Sequence, residues 1–205
     1  MKRLLDLLII ILASPALFFA FPLISLIILV SNGKPVLYSH NRTGKDGRIF
    51  IMYKFRTMDS MSDESIHEEH YKKLAENKTI EPSLDPSDPI RIENDVRVTN
   101  IGNFLRKTSL DELPNLLNVF VGHMSLVGPR PLVPYESSLY GKYEKKRNST
   151  LPGITGLAQV QGRKDLSLQE RLYWDIEYIE NRNALLDMKI IFMTIKSVFL
   201  TEGAN

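Results

Sequence analysis

The sequence predicts an α+β fold that is mainly helical, with a membrane helix at the N-terminus, amphipathic helices at the membrane surface and one small β-hairpin. Three observations support this prediction. Residues 4–30 are apolar, two stretches near the C-terminus repeat apolar residues with helical spacing, and two β-branched and aromatic stretches flank a glycine-containing loop. The chain has 205 residues, which fits one domain. We therefore assign residues 1–33 to the membrane helix and residues 34–205 to a single domain at the membrane surface.

The composition excludes several kinds of partner and site. The chain has 26 Lys plus Arg and 24 Asp plus Glu, and its net charge of +2 gives no argument for a nucleic-acid partner. The chain contains no cysteine, which excludes disulfides, thiolate metal sites and a cysteine nucleophile. Any binding of anions must therefore come from local groups of basic residues.

The apolar run reads LLDLLIIILASPALFFAFPLISLIILV, and Asp6 is its single ionisable residue. As a helix it reaches about 40 Å, which exceeds the ~30 Å hydrocarbon core of a bilayer. A cleaved signal peptide is the alternative, but the run is too long for the apolar region of a signal peptide and no small-residue cleavage site follows it. The run therefore predicts a helix that enters the membrane.

Pro15 is expected to break this helix near the middle of the bilayer. Its ring removes a backbone donor and clashes with the carbonyl of Ile11, and the Ser14 hydroxyl is placed to satisfy a freed carbonyl. Residues 4–13 cover about 15 Å, which is half of the bilayer. A helix that turns at this point returns to the face from which it came, and this keeps the flanking basic residues on one side. A kinked spanning helix fits the same residues, so they leave both arrangements open.

The first part of the surface domain combines a hairpin and a polar excursion. Val36 to Tyr38 and Arg48 to Phe55 predict the two strands of the hairpin. Residues 59–94 are charged and then proline-rich, which predicts a polar helix and linker on the surface. His67 and His70 lie in this excursion, but they lack the His-Glu-x-x-His spacing of zinc proteases, and we interpret them as solvated.

Two helices are predicted near the C-terminus. Ser167 and Glu170 have the spacing of a capping box that opens an amphipathic helix. A further helix follows from Asp187 and is apolar over a wide arc, with Lys189 and Lys196 two turns apart. Such a face fits a protein core or the headgroup layer of a membrane, and the two lysines favour the headgroup layer.

Asp111 and Glu112 are adjacent carboxylates that precede Pro114. Proline suits the first turn of a helix, so the pattern predicts a helix that begins at Pro114 and has the acid pair just before its N-terminus, a place that attracts phosphate. Two neighbouring carboxylates repel each other, and Mg²⁺ takes one or two protein carboxylates while leaving its other positions to water and phosphate. The pair therefore predicts a magnesium site, and structural capping is the alternative that its spacing leaves open.

Long motifs of the chain resemble the bacterial sugar transferase family, in particular its small monotopic phosphoglycosyl transferases. The apolar segment with its Ser14-Pro15 break and the LDMKI segment of the last helix also match, whereas the excursion at 59–94 does not. The motifs are KFRTM at 54–58, DVRVTNIGNFLRKTSLDELPNLLNVFVGHMSLVGPRP at 95–131 and LPGITGLAQVQGR at 151–163.

The resemblance implies a reaction at the membrane. Such enzymes transfer a sugar 1-phosphate from a UDP-sugar to undecaprenyl or another polyprenyl phosphate and release UMP, as the first membrane step of surface glycan synthesis such as exopolysaccharide or O-antigen. The resemblance also implies that Asp111 is the nucleophile that carries the phosphosugar, that Glu112 is its partner, and that Mg²⁺ is required. It further implies a helix that is re-entrant at Ser14-Pro15 and a catalytic domain on the cytosolic face of the bacterial inner membrane.

Six further residues are expected to bind the substrates. Arg106 and Arg130 flank the acid pair in sequence and offer guanidinium groups to phosphate oxygens. A structural role in turns and loops is the alternative for each of the six. Two other functions stay open, which are direct displacement without a covalent intermediate and a non-catalytic membrane-anchored scaffold. The expected substrate-binding residues are Arg106, Arg130, Lys54, Arg56, Gln161 and Arg163.

Overall fold

The structure is a computed structural model that describes residues 2–58, 97–138, 140–162 and 166–199. The predicted excursion at 59–94 and residue 163 lie outside the described residues. The fold is mainly helical, with a long apolar N-terminal helix and a small antiparallel hairpin, and these features confirm the predicted fold class. The helices are α1 (Lys2–Asn32), α2 (Asn100–Lys107), α3 (Leu116–Val121), α4 (Pro134–Ser138), α5 (Glu144–Arg147), α6 (Leu157–Gln161), α7 (Leu168–Asn181) and α8 (Ala184–Phe199). The strands are β1 (Leu37–Thr43), β2 (Ile49–Phe55), β3 (Ser125–Val127) and β4 (Gly153–Thr155), and short 3₁₀-helices cover Lys45–Gly47, Leu110–Asn115 and Gly141–Tyr143.

Helix α1 is long and apolar enough to cross a membrane, and it is the single such helix among the described residues. Its middle, residues 11–19, contains no buried side chain. Pro15 lies inside the helix, and the Ser14 hydroxyl donates a hydrogen bond to the carbonyl of Ile11 over 2.7 Å. Pro15 has no N–H to donate to the Ile11 carbonyl four residues earlier, so the Ser14 hydroxyl satisfies the carbonyl that the proline leaves free, as the sequence predicted.

The N-terminal end of α1 is attached to the surface domain by polar side chains. The Lys2 ammonium lies 2.7 Å from a carboxylate oxygen of Asp187, and Arg3 donates to the backbone carbonyls of Val119 and Phe120. Asp6 is buried and accepts hydrogen bonds from the Ser125 hydroxyl (2.8 Å) and from the Leu126 backbone N–H (3.2 Å). These partners come from α8, α3 and β3, so this end of α1 contacts three separate elements of the domain.

The C-terminal end of α1 packs on the same domain through apolar side chains. Ile24 and Ile28 are buried in a cluster with Phe55 of β2 and Leu105 of α2. The Asn32 side chain donates to the Thr99 hydroxyl at 2.9 Å. Both ends of α1 therefore contact one domain, while the segment between them is exposed.

The β1–β2 hairpin contributes apolar side chains to the core of the domain. Strand β1 pairs with β2 in antiparallel register from Leu37 opposite Phe55 to Thr43 opposite Ile49. Phe50 and Met52 point into a core cluster that also contains Val119 and Met124. Strand β1 is longer than predicted because backbone pairing with β2 continues through residues 39–42, whose polar side chains gave no strand pattern in the sequence.

A second sheet, which the sequence analysis did not predict, joins two distant segments. Strands β3 and β4 pair in parallel, with Ser125 opposite Gly153 and Val127 opposite Thr155. The backbones approach closely at the end of this pair, where a Cβ atom on Gly153 would lie 2.1 Å from the Gly128 nitrogen. Glycine is thus required there. The segment after β3 then reaches the hairpin, where the Thr43 N–H donates to the Leu132 carbonyl at 2.8 Å.

The two C-terminal helices, α7 and α8, pack against the core. Ser167 caps α7 through the predicted capping box with Glu170. Helix α8 begins at Ala184, earlier than predicted, because the Asn183 side chain accepts a hydrogen bond from the Leu186 N–H at 2.9 Å and so caps this end. One side of α8 reaches the core through Ile190, and the exposed apolar side chains of the helix include Leu185, Met188, Phe192 and Ile195.

A buried ion pair joins α5 to α7, and its arginine also binds the backbone at Arg130. Arg147 donates to Asp175 and to the carbonyl of Arg130, both at 2.8 Å, and each side chain of the ion pair is 4% exposed.

We expect Arg147→Met to lower the free energy of unfolding by about 3–5 kcal/mol, since Asp175 would be left as a buried charge without its partner. Urea unfolding in detergent measures this loss, and Arg147→Met combined with Asp175→Leu is expected to recover part of it. Equal losses in the single and double variants would contradict the prediction.

Candidate active site

The acid pair lies in a short 3₁₀-helix, Leu110–Asn115, which we call the dyad helix. It begins after Ser109, whose φ of 56° is left-handed, and both Asp111 and Glu112 lie in its first turn. The predicted helix beginning at Pro114 corresponds closely to α3, which begins at Leu116. The prediction missed the preceding 3₁₀ turn, because the left-handed conformation of a serine leaves no pattern in a sequence.

Two asparagines attach the dyad helix and α3 to the open edge of β2. The Asn115 side-chain oxygen accepts from the Tyr53 N–H at 2.9 Å, and the Asn118 side chain donates to the Ile51 carbonyl at 2.9 Å. The two asparagines are joined to each other by a hydrogen bond of 3.2 Å. Because Tyr53 precedes Lys54, these bonds fix the position of Lys54 relative to the dyad. Sequence reasoning missed both residues, although their spacing of three on a helix was visible.

Lys54 contacts both members of the dyad. Its ammonium lies 2.5 Å from Glu112 Oε1 and 3.6 Å from Asp111 Oδ2. Arg130 adds a second cation near Glu112, with its Nη1 atom 3.9 Å from Oε1. Both carboxylates are mostly shielded from solvent, whereas the Arg130 side chain is 49% exposed. Glu112 is therefore the more tightly paired carboxylate, and Asp111 is held less closely.

The surroundings shift the pKa values of the two carboxylates in opposite directions. Burial raises the pKa of Asp111 above its ordinary value, although the Lys54 charge acts in the other direction. Burial also acts to raise the pKa of Glu112, but the charges of Lys54 and Arg130 outweigh it and the pKa is lowered. The dyad thus combines a firmly ionised Glu112 with a desolvated Asp111.

Arg106 and Arg130, the two predicted phosphate ligands, both reach the dyad region. Arg106 lies in the last turn of α2, where its Nε donates to the Thr57 hydroxyl at 2.8 Å, and its charge acts on Asp111. Arg130 follows the close glycine contact at the end of β3. These two arginines and Lys54 place three positive charges near the acid pair.

Of the other three predicted residues, the structure describes Arg56 and Gln161, and it does not bring either of them to the dyad. Arg56 is buried and donates to the backbone carbonyls of Lys34 (2.6 Å) and Asn32, so its contacts hold the end of α1 against β2. Gln161 ends α6 with an exposed side chain, and no contact among the described residues joins it to Asp111 or Glu112. Arg163 lies outside the described residues. Their roles in donor binding stay predictions.

Arg42 is a neighbour of the site that sequence reasoning missed. It lies on β1, with its Nη1 atom 3.5 Å from the Pro131 carbonyl and 3.9 Å from a carboxylate oxygen of Glu136. Its charge acts on both Arg130 and Glu112. A single arginine in a polar strand carries no signal in the sequence, because the loop after Arg130 that brings it to the site is distant in the chain.

The acid pair fits the needs of a magnesium ion. Among the described residues there is no cluster of three or more acidic or histidine side chains that could hold a metal. Magnesium, however, usually takes one or two protein carboxylates and keeps water and phosphate in its other positions. Lys54 contacts one oxygen of each carboxylate, and within the described part of the chain no hydrogen bond engages the other two oxygens. Asp111 and Glu112 therefore remain the residues that would hold such an ion.

A desolvated carboxylate pair next to a lysine and arginines, in a helical domain packed on a long apolar helix, is chemically suited to binding and transferring phosphate groups. The sequence model of the family described as bacterial sugar transferase matches residues 1–201. The chain therefore belongs to the bacterial sugar transferase family.

Curated relatives agree with this assignment. The chain is 39% identical over 203 residues to the exopolysaccharide production protein ExoY of Sinorhizobium fredii, covering 99% of this chain and 87% of the relative. It is 42% identical over 173 residues to the undecaprenyl-phosphate galactose phosphotransferase of Salmonella typhimurium, covering 84% of this chain and 35% of that relative. It is 34% identical over 189 residues to the UDP-glucose:undecaprenyl-phosphate glucose-1-phosphate transferase of Escherichia coli, covering 88% of this chain and 36% of that relative. The chain thus spans most of ExoY and about a third of the two larger relatives.

Proposed function

We propose that this protein transfers a sugar 1-phosphate from a UDP-sugar to undecaprenyl phosphate or a related polyprenyl phosphate, releasing UMP through a phosphosugar intermediate on Asp111. The observation that supports this most strongly is the desolvated Asp111 beside Lys54, with Glu112 and Arg130 at the same site. The names of the relatives from Salmonella typhimurium and Escherichia coli specify sugar-phosphate transfer to undecaprenyl phosphate. The reaction would be the first membrane step in the synthesis of a surface glycan.

The proposed reaction has two displacements at one phosphorus atom. An Asp111 carboxylate oxygen attacks the phosphorus that bears the sugar, a new P–O bond forms, and the bond to the UMP phosphate breaks with its electron pair leaving on UMP. An oxygen of the lipid phosphate then attacks the same phosphorus and releases the Asp111 carboxylate. UMP can leave before the lipid phosphate binds, so the two bulky anions never share the site.

The contacts of the dyad support different roles for its members. Lys54 and Arg130 hold Glu112 in place, whereas Asp111 has its closest cation contact at the longer distance of 3.6 Å. A loosely paired and desolvated carboxylate is the better nucleophile of the two. A magnesium ion held by Asp111 and Glu112 would neutralise phosphate charge and orient the diphosphate.

We further propose that α1 is re-entrant and that the domain lies on the cytosolic face of the bacterial inner membrane, where nucleotide sugars occur. The support is that both ends of α1 contact the same domain, through Asp6 and Ser125 at one end and through Ile24, Ile28 and Phe55 at the other. A straight helix would separate residues 6 and 28 by about 33 Å and place them on opposite faces of a bilayer. The exposed apolar middle of α1 is then the part that enters the lipid.

Cysteine labelling tests the re-entrant arrangement, since the chain has no cysteine of its own. One variant carries a cysteine placed ahead of Met1, and a control variant carries Ser39→Cys on the exposed side of β1. In intact cells we expect both to be protected from a membrane-impermeant maleimide, and both to react after lysis. Labelling of the N-terminal cysteine in intact cells would show a spanning helix.

The proposed reaction is tested by measuring UMP release from purified protein with a panel of UDP-sugars, Mg²⁺ and undecaprenyl phosphate. At least one UDP-sugar is expected to give UMP together with a lipid-linked sugar phosphate. Without acceptor, UMP release is expected to stop after about one equivalent per active site, because the intermediate then accumulates. Release that strictly requires the acceptor would favour direct displacement, and no release from any UDP-sugar would favour a scaffold.

A further inference from the structure

We propose that Arg42 binds a phosphate group of one of the two substrates and forms, with Arg130, a two-guanidinium phosphate position beside the dyad. This inference rests on the proposed function, since it concerns the same site. It assigns Arg42 a direct role in substrate binding, where the fold alone would give it a role in the hairpin.

The contacts of Arg42 leave much of its hydrogen-bonding capacity unused. Its side chain is 16% exposed, and its Nε atom is buried without a hydrogen-bond partner. Its Nη1 atom has two distant contacts, at 3.5 Å to the Pro131 carbonyl and at 3.9 Å to Glu136. Both distances are at or beyond the limit of a good hydrogen bond.

The buried Arg147 is an arginine whose donors are well satisfied, and it contrasts with Arg42. Its Nε and Nη2 atoms donate at 2.8 Å to the Asp175 carboxylate and to the Arg130 carbonyl. Arg42 has no comparable pair of partners among the described residues. The Arg42 Nε atom is buried without an acceptor, as is that of Arg56, but the Nη groups of Arg56 donate to two backbone carbonyls, whereas Arg42 has two long contacts among the described residues. The Nη groups of Arg42 therefore retain donor capacity for a ligand beside the dyad.

The backbone places Arg42 next to Arg130. The Thr43 N–H donates to the Leu132 carbonyl at 2.8 Å, which holds the end of β1 against the segment that follows Arg130. Arg42 contacts the carbonyl of Pro131, and Arg130 reaches toward Glu112 from the adjacent position. The two guanidiniums repel each other, and an anion bound between them offsets this repulsion.

Phosphate is the anion that fits this position. The two terminal Nη groups of a guanidinium can donate hydrogen bonds to oxygens of one phosphate group, and a second arginine can bind the same group. The phosphate could come from the nucleotide diphosphate or from the lipid phosphate, since both must approach Asp111. Both sources present the same phosphate group to the two arginines, so binding measurements with one probe for each source distinguish them.

Glu136 holds Arg42 in place without saturating it. Its carboxylate accepts a hydrogen bond of 3.0 Å from the Val133 N–H, which holds this side chain of α4 against the loop that joins Arg130 to the helix. The 3.9 Å separation from Arg42 is a loose ion pair. Glu136→Gln keeps an acceptor for Val133 and removes the charge, so it tests whether Arg42 acts through Glu136 or through a ligand.

The experiment measures dissociation constants for UDP and for farnesyl phosphate with the full chain in detergent, in an Asp111→Asn background that prevents turnover. Arg42→Gln is expected to weaken binding of one probe by about 10- to 100-fold. Weaker UDP binding assigns the position to the donor, and weaker farnesyl phosphate binding assigns it to the acceptor. Unchanged affinity for both probes would overturn the proposal.

Controls separate binding from folding. Arg48→Gln removes an exposed arginine of the same hairpin and is expected to change neither affinity. Glu136→Gln is expected to keep or tighten phosphate binding, and a loss as large as that of Arg42→Gln would mean that Arg42 is only a structural partner of Glu136. If Arg42→Gln fails to fold in a thermal melt, Arg42→Lys replaces it, and parental affinity for both probes in that variant would contradict the proposal.

The outcome is independent of the test of function. Binding of UDP and farnesyl phosphate is measured without catalysis, so a wild-type protein that released no UMP would contradict the proposed reaction and leave the effect of Arg42→Gln measurable. Conversely, normal UMP release combined with unchanged binding in Arg42→Gln would contradict the role of Arg42 alone.

Discussion

Asp111→Asn is expected to abolish sugar-phosphate transfer, with a loss of at least about 10⁴-fold. The asparagine amide keeps the size of the side chain but has no anionic oxygen to attack phosphorus. Transfer of radiolabelled sugar phosphate to the lipid and retention of label on the protein without acceptor measure the two effects together. Both are expected to fall to background, since one nucleophile serves both displacements.

A matched control for this variant is Asp46→Asn. Asp46 lies exposed in the turn of the hairpin, at a positive φ of 56° that asparagine tolerates well, so this change is expected to leave transfer unaltered. Wild-type activity in Asp111→Asn would refute the covalent mechanism. Loss of transfer with retained labelling of the protein would mean that another residue is the nucleophile.

Lys54→Gln is expected to have the second largest effect, a fall of about 100-fold in the rate of UMP release. The substitution removes the cation that lies 2.5 Å from Glu112 and 3.6 Å from Asp111. Without it the pKa of Glu112 is expected to rise, since burial then acts with less opposition, and the dyad loses its fixed geometry. Single-turnover UMP release without acceptor measures the change in the first displacement directly.

Lys45→Gln is the control for the Lys54 variant. Lys45 is exposed at the turn of the same hairpin, so its loss changes the net charge equally without touching the dyad. A thermal melt of each variant distinguishes a chemical effect from unfolding. An unchanged rate in Lys54→Gln would show that Lys54 contributes nothing to the arrangement of the dyad.

The sequence was informative where function depends on neighbouring residues. The Ser167–Glu170 capping box is confirmed. The adjacent Asp111 and Glu112 do lie just ahead of α3, although within a 3₁₀ turn that the sequence did not predict, and Pro15 lies inside a helix that continues on both sides of it. Arg106 and Arg130 were predicted from their closeness to the dyad in the chain, and they do lie near it.

Contacts between distant segments could not be predicted in this way. Asn115 and Asn118 act by bonding to the edge of β2, more than sixty positions earlier in the chain. Arg56 follows Lys54 closely in sequence, yet its guanidinium binds the end of α1 and not the dyad. Strand residues that are two apart share a face of the sheet, but the role of each side chain depends on the element packed against it. Arg42 shows the same dependence, because it meets Arg130 only through the pairing of β1 with the loop after β3.

The most direct test of the central claim is the mass of the intact protein after incubation with a reactive UDP-sugar and Mg²⁺ but without lipid acceptor. We predict a mass increase equal to one sugar phosphate, located on Asp111 by peptide mapping and lost when undecaprenyl phosphate is added. An unmodified protein that transfers the sugar phosphate only when donor and acceptor are present together would contradict the covalent mechanism.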